Sequence, residues 1–181
     1  MLTILILMLS AVGFILSVIA HLSTFAGYSP LVTESTWSLN LGLWLVWLPL
    51  LTMSFNQLFS YANEGDVWKV IPPFAPMWSK NLSVILLLYA FFNFIYVMTF
   101  LNHGGFPAII DGQYVLNTYN YGPILKVLTE AEYHLHEAYL LRAGSGHWMF
   151  MYLYACVTAY SRVRQEMAAG ESTPNTLVGE G

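Results

Sequence analysis

Long uncharged runs of apolar residues dominate the hydrophobic pattern of this chain. Four stretches contain no Asp, Glu, Lys or Arg, at residues 2–22, 41–59, 82–101 and 143–161. Each is close to the roughly 20 residues that a helix needs to cross a bilayer core about 30 Å thick. Hydrocarbon does not tolerate unpaired backbone groups, so these runs must be helical. The pattern therefore predicts an all-α integral membrane protein, a bundle of four transmembrane helices.

Two residues inside these runs are expected to affect helix shape or packing. Pro49 lies in the second run and predicts a kink, because proline cannot donate a helical hydrogen bond. Asn93 lies near the middle of the third run, and an amide there is expected to hydrogen-bond to a neighbouring helix. A place in a ligand or ion path is the alternative interpretation of Asn93.

The 102–142 segment between the third and fourth runs carries signals of ordered structure. Asp111-Gly112 lies between β-forming residues and predicts a hairpin, and residues 124–128 can add a third strand. Thr129 followed by Glu132 has the spacing of a capping box at the start of an amphipathic helix. That helix should end near residue 142, because Gly144-Ser145-Gly146 predicts a break. We expect a small cap, hairpin plus amphipathic helix, on the outer face of the bundle.

The remaining segments are connections and termini of a single membrane domain, residues 1–181. The 60–81 loop contains prolines together with Trp68 and Trp78, which are typical of a segment lying along the lipid headgroups. The tail from residue 168 is rich in Gly, Ser, Thr, Glu and Pro and predicts a solvated, disordered end.

Composition agrees with a membrane protein and excludes several other classes. Apolar residues make up 57% of the chain and charged residues 9%, whereas soluble domains carry about 25% charged residues. So little charge excludes a disordered chain and leaves nucleic acid implausible as a partner. The single cysteine, Cys156, excludes an internal disulfide and any multi-cysteine metal site.

The distribution of basic residues predicts the orientation in the membrane. With four spans both termini share a side, and that side holds four basic residues against two on the other: Lys69, Lys80, Arg162 and Arg164 against Lys126 and Arg142. Lys and Arg near helix ends favour the cytoplasm. The prediction is that both termini are cytoplasmic.

All five histidines fall on the predicted outer side. His21, His103 and His147 are far apart in sequence yet are predicted at one membrane depth. Imidazole is a common ligand of zinc, copper and haem iron, so these three are candidate ligands of a metal or haem. One alternative is that they lie among the headgroups as amphipathic rings, and another is a proton-linked or quinone-type role for some of them.

A second candidate metal site lies on the predicted cap helix. Glu130, His134 and Glu137 are spaced four and three residues apart, which places two carboxylates and an imidazole on one helix face. Such a face could bind a hard metal or relay protons. It is equally typical of an ordinary solvated helix.

Known enzyme motifs are missing from the sequence. A phosphate loop, a nucleophile elbow and a dinucleotide-binding turn are absent. The four runs contain no charged residue, which argues against a transporter. Two functions remain. The first is a non-catalytic accessory or interaction subunit, whose partners are the lipid bilayer and other membrane subunits or a second copy. The second is a redox or metal-binding membrane protein that uses the outer histidines.

Several short segments carry a resemblance to known proteins. Asp-Gly-Gln-Tyr-Val-Leu at 111–116, Leu-Thr-Glu-Ala-Glu-Tyr at 128–133 and Ala-Gly-Ser-Gly-His-Trp-Met at 143–149 are similar to segments of small four-span bacterial inner-membrane proteins. Val67-Trp68-Lys69 extends the resemblance to the middle loop. The resemblance implies a bacterial inner-membrane location. That family has no known activity, so no functional residue is transferred.

Overall fold

Four helices and one small sheet make up the described part of the chain. The structure is a computed structural model that describes residues 1–26, 34–63, 75–118 and 122–171. The helices are α1 (Leu2–Ser23), α2 (Glu34–Asn63), α3 (Met77–Tyr96) and α4 (Glu130–Glu171). A 3₁₀ turn, Thr24–Ala26, follows α1, and a π-helical segment, Val97–Leu101, follows α3.

Helix α4 lies at the centre of the bundle. It packs against each of the other three helices, most extensively against α1. Between residues 141 and 161, all of its residues except His147 and Tyr160 are buried or half-buried. The core it shares with α1 and α2 contains Ile6, Val46 and Tyr152. A helix surrounded in this way is shielded from the medium by its neighbours.

The outer helices α1 and α3 turn large apolar side chains outward and small or polar ones inward. On α1 the buried residues are mostly small or polar: Thr3, Ile6, Ser10, Gly13, Ser17, Ala20 and His21. On α3 they are Ser79, Ser83, Ala90 and Asn93. The exposed residues of both helices are chiefly Leu, Ile, Val, Phe and Met. This polarity is the reverse of a soluble helix, in which the apolar stripe faces the core.

Two helices are long and apolar enough to cross a membrane. They are α1 with its 3₁₀ turn, Leu2–Ala26, and α3 with its π-helical segment, Met77–Leu101. Of the most apolar part of each, 28% and 17% respectively is buried, whereas the core helix of a soluble protein is mostly buried. The prediction of membrane-length apolar helices is confirmed for these two.

The other two predicted spans are less apolar. The apolar part of α2 is Ser38–Met53, shorter than a full span, and α4 does not meet the same test. Helix α2 continues through Pro49. The bundle of four spanning helices therefore stays a prediction.

The strands between α3 and α4 confirm the predicted hairpin and third strand. β1 (Phe106–Ile110) pairs with β2 (Gln113–Asn117), and β2 pairs with β3 (Ile124–Val127), all antiparallel. The hairpin turns at Asp111 and Gly112, whose φ angles of 51° and 76° are both left-handed. A two-residue turn of this kind matches the twist of the flanking strands. The sheet packs against α4 through β1 and β2.

The predicted break between the cap helix and the last span is wrong. Helix α4 runs without interruption for 42 residues, through Gly144, Ser145 and Gly146. Each glycine costs a helix about 1 kcal/mol relative to alanine. A Cβ on Gly146 would lie 3.1 Å from Nδ2 of Asn93, closer than most Cβ contacts, so the glycine lets α3 approach α4 without displacing that side chain. Close helix contact therefore overrides the local signal.

Helix α4 also extends into the predicted tail. Residues 168–171, expected to be disordered, form its last turn. Residues 172–181 lie outside the described part of the chain, as do residues 64–74 of the predicted middle loop. Of that loop, residues 60–63 belong to α2 and residues 77–81 belong to α3.

The capping box at the start of α4 is confirmed. The Glu132 carboxylate accepts a bond of 2.8 Å from the Thr129 backbone N–H, and the Thr129 hydroxyl accepts one of 3.2 Å from the Glu132 N–H. Lys126 donates to the same carboxylate at 2.6 Å. These bonds, the Lys126 bond first, lower the pKa of Glu132 to about 2.

This shift predicts pH-dependent fraying of the first turn of α4. Because the folded pKa lies below the ordinary value of 4.5, the stabilisation is present above pH 4.5 and is lost as the pH falls towards 2. Backbone hydrogen exchange around Thr129 should lose protection over this window in the wild type, relative to Glu132→Ala at each pH. Glu130→Ala is the control, because that carboxylate takes no part in the capping box. Equal protection in wild type and Glu132→Ala at neutral pH would contradict the prediction.

Candidate functional site

Five polar side chains meet inside the bundle where α1, α3 and α4 approach one another. They are His21 from α1, Tyr89 and Asn93 from α3, and Arg142 and Ser145 from α4, and we call them the polar layer. His21, Asn93 and Ser145 are buried, and Tyr89 and Arg142 are half-buried. A group of this kind is unusual among apolar helices, because each polar group needs a partner there.

His21 occupies the centre of the polar layer and uses both ring nitrogens. Nδ1 lies 2.9 Å from the Ser145 hydroxyl oxygen, and Nε2 lies 2.5 Å from the Tyr89 hydroxyl oxygen. The Ser145 hydroxyl donates to the backbone carbonyl of Arg142 at 3.3 Å, so its oxygen is free to accept from Nδ1–H. Nε2 then accepts from the Tyr89 hydroxyl. The arrangement suits a neutral imidazole protonated on Nδ1.

Asn93 and Arg142 form the second half of the polar layer. The Asn93 amide donates to the Arg142 backbone carbonyl at 3.0 Å, and Nε of Arg142 donates to the Asn93 side-chain oxygen at 3.2 Å. The expectation that Asn93 bonds across a helix interface is confirmed. Arg142 was expected outside the membrane and Asn93 near mid-span, but the bonds place them at one level.

Aromatic rings flank the guanidinium group of Arg142. Its central carbon lies 4.1 Å from the ring centroid of Phe25, in the 3₁₀ turn that follows α1, and 6.0 Å from that of Tyr96, at the end of α3. Both distances are within range of cation–π attraction. Within the described ranges, no carboxylate forms an ion pair with Arg142.

No protein family, curated protein or solved structure matches this chain. The resemblance to small four-span bacterial inner-membrane proteins stays a prediction.

The three histidines predicted to form a metal site have different surroundings. His21 is buried in the polar layer, whereas His103 and His147 are exposed. His147 directs Nδ1 to the carbonyl of Ala143 in its own helix and packs its ring edge-on against Phe94. In the part of the chain that the structure describes, no group of three or more His, Cys, Asp or Glu residues could hold a metal ion.

The cap-helix candidates do lie on one face of α4. Nδ1 of His134 is 3.0 Å from the Glu137 carboxylate, and Nε2 is 4.0 Å from the Glu130 carboxylate. The two carboxylates therefore lie at opposite nitrogens of one exposed ring. Such a geometry suits two separate ion pairs and does not bring the three side chains around one point.

Sequence reasoning missed most of the polar layer and one further contact. His136 on α4 pairs Nδ1 with the side-chain oxygen of Asn102, which follows the π-helical segment. The pKa of His136 is lowered, mainly by burial and further by the nearby Lys126 and His103. Tyr89, Arg142 and Ser145 carried no motif. The sequence signal that could have indicated close helix packing is the run of small residues Gly144-Ser145-Gly146 beside an apolar run.

Proposed function

We propose that this protein is a multi-pass integral membrane protein that acts as a non-catalytic accessory or interaction subunit of a membrane complex. The reversed polarity of α1 and α3 carries the proposal, because large apolar side chains face outward and polar ones pair inside. Such helices are stable when hydrocarbon surrounds them. Both termini are proposed to be cytoplasmic, with the cap on the opposite side.

The pairing within the polar layer supports a structural use of those groups. Bonds of His21 join α1 to both α3 and α4, and Asn93 joins α3 to α4. These bonds hold the three helices in one register. Because these groups already hydrogen-bond to one another, they are poorly placed to act on a substrate.

The sheet supports an interaction role. All four residues of β3 are exposed, including Ile124, Leu125 and Val127, and Ile109 of β1 is exposed in the same sheet. Exposed apolar positions next to a strand edge that pairs with no other described strand favour contact with another protein.

Cysteine labelling tests the proposed topology. In a Cys156→Ala background, Gln113→Cys lies in the exposed hairpin and Met167→Cys near the end of α4. A membrane-impermeant maleimide on intact cells should label the first, and should label the second only after permeabilisation. Labelling of both positions in intact cells would contradict the four-span arrangement.

Photo-cross-linking tests the interaction role. A cross-linker at Val127, 60% exposed on β3, should give one discrete protein adduct in native membranes. The control is a cross-linker at Met8, 63% exposed on the apolar face of α1, which should react only with lipid. An absence of protein adducts at Val127, with the probe shown to be reactive, would contradict an interaction subunit.

A further inference from the structure

Arg142 carries a positive charge that its described surroundings leave unbalanced. Its contacts are all uncharged: the Asn93 side-chain oxygen at Nε and the rings of Phe25 and Tyr96. Of the five N–H donors of a guanidinium, only Nε donates to a described residue. A partly buried arginine favours an anion that accepts two parallel hydrogen bonds, as carboxylates and phosphates do.

The position of Arg142 indicates which anion can reach it. Phe25 is the penultimate residue of the membrane-length segment Leu2–Ala26, and Tyr96 lies in the last third of Met77–Leu101. Both rings are about half exposed, at 57% and 48%. Aromatic side chains near the ends of spans are typical of the headgroup level of a bilayer. At that depth the most abundant anionic group is the phosphate of a phospholipid.

We propose that Arg142, between Phe25 and Tyr96, binds the phosphate of an anionic phospholipid at the junction of α1, α3 and α4. The inference rests on the proposed membrane location. The guanidinium Nη groups donate to the phosphate oxygens, and the acyl chains lie against the exposed apolar faces of α1 and α3. Net negative charge distinguishes the ligand, because a zwitterionic headgroup neutralises its own phosphate.

Native mass spectrometry of the purified full chain in detergent tests this site. With phosphatidylglycerol added, the wild type should retain one lipid that Arg142→Gln binds about tenfold more weakly, the effect of losing one charge-assisted pair. Phosphatidylcholine should bind both proteins weakly and alike. The matched control is Arg164→Gln, which removes the same charge from an exposed position near the end of α4 and should leave lipid retention unchanged.

A second pair of variants keeps the test valid if Arg142→Gln fails to fold. Phe25→Asp places a carboxylate beside the guanidinium and should displace the lipid, whereas Phe25→Ala should retain it. Phe25 is more than half exposed, so both variants should fold. Retention of phosphatidylglycerol by Phe25→Asp as tightly as by the wild type would overturn the proposal.

The source of the phosphate and the membrane location are tested separately. Inorganic phosphate should not displace the bound lipid, and displacement by inorganic phosphate would overturn a lipid ligand. If the chain stays in the membrane pellet after alkaline carbonate treatment, yet the wild type and Arg142→Gln bind phosphatidylglycerol equally, this site alone is overturned. Release of the chain by carbonate would instead overturn the proposed membrane function.

Discussion

Gly13→Ala should lower the melting temperature of the detergent-solubilised protein by roughly 6–12 °C. A Cβ at this position would lie 2.3 Å from Cε1 of Tyr152, far inside van der Waals contact. The ring cannot turn away freely, because the Tyr152 hydroxyl donates to the Leu39 carbonyl at 2.7 Å and lies next to Gly42. Overpacking of about 3 kcal/mol, at roughly 2–4 °C for each kcal/mol, gives the expected shift.

Gly144→Ala is the matched control for this substitution. Gly144 is also helical, but a Cβ there would meet Trp148 at 3.6 Å, an ordinary contact. Replacing a helical glycine with alanine then stabilises by up to about 1 kcal/mol. Thermal unfolding of both variants in one detergent measures the difference, and an equal loss in both would contradict the packing argument. Adding Tyr152→Leu to Gly13→Ala should recover part of the loss.

His21→Ala should lower the free energy of unfolding by about 3–5 kcal/mol, because two hydroxyls inside the bundle lose their bonds to the imidazole and a cavity opens. The hydroxyls are those of Tyr89 and Ser145. Chemical denaturation in detergent measures the loss. A cycle with Tyr89→Phe should show the two effects to be non-additive, since the residues share one bond.

His147→Ala provides the contrast. His147 is exposed and bonds within its own helix, so its removal should change stability by less than about 0.5 kcal/mol. His103, which is also exposed, should behave the same way. Equal destabilisation by all three substitutions, together with stabilisation of the wild type alone by an added metal ion, would contradict the polar layer and favour a shared metal site.

The cap was largely predictable from sequence because its signals are local. The left-handed turn at Asp111-Gly112 and the capping pair Thr129 and Glu132 each act over four residues or fewer. The predicted helix break at residues 144–146 was wrong because non-local contacts decide the structure there. There a local preference competes with contacts from α3 and α1, which lie far away in sequence and cannot be read from neighbouring residues.

The histidines show that depth along a span does not determine where a side chain points. Position along a predicted span indicates depth, but the direction of a side chain depends on how the helix is rotated. Ser145 faces the polar layer, and His147, two residues later, is turned by about 200° around α4. Residues at similar depth can therefore point in different directions: Ser145 contacts His21, whereas His147 lies on the outside.

The packing of α1 against α4 also determines when the bundle can be completed during synthesis. These two helices, the first and the last, share the most extensive interface. Until α4 has been made, the inward positions of α1, including Ser10, Ser17 and His21, lack the helix that covers them. A chain that stops before residue 143 would lack Ser145 and most of α4, so His21 would keep only its bond to Tyr89 and α1 would lose its most extensive contact.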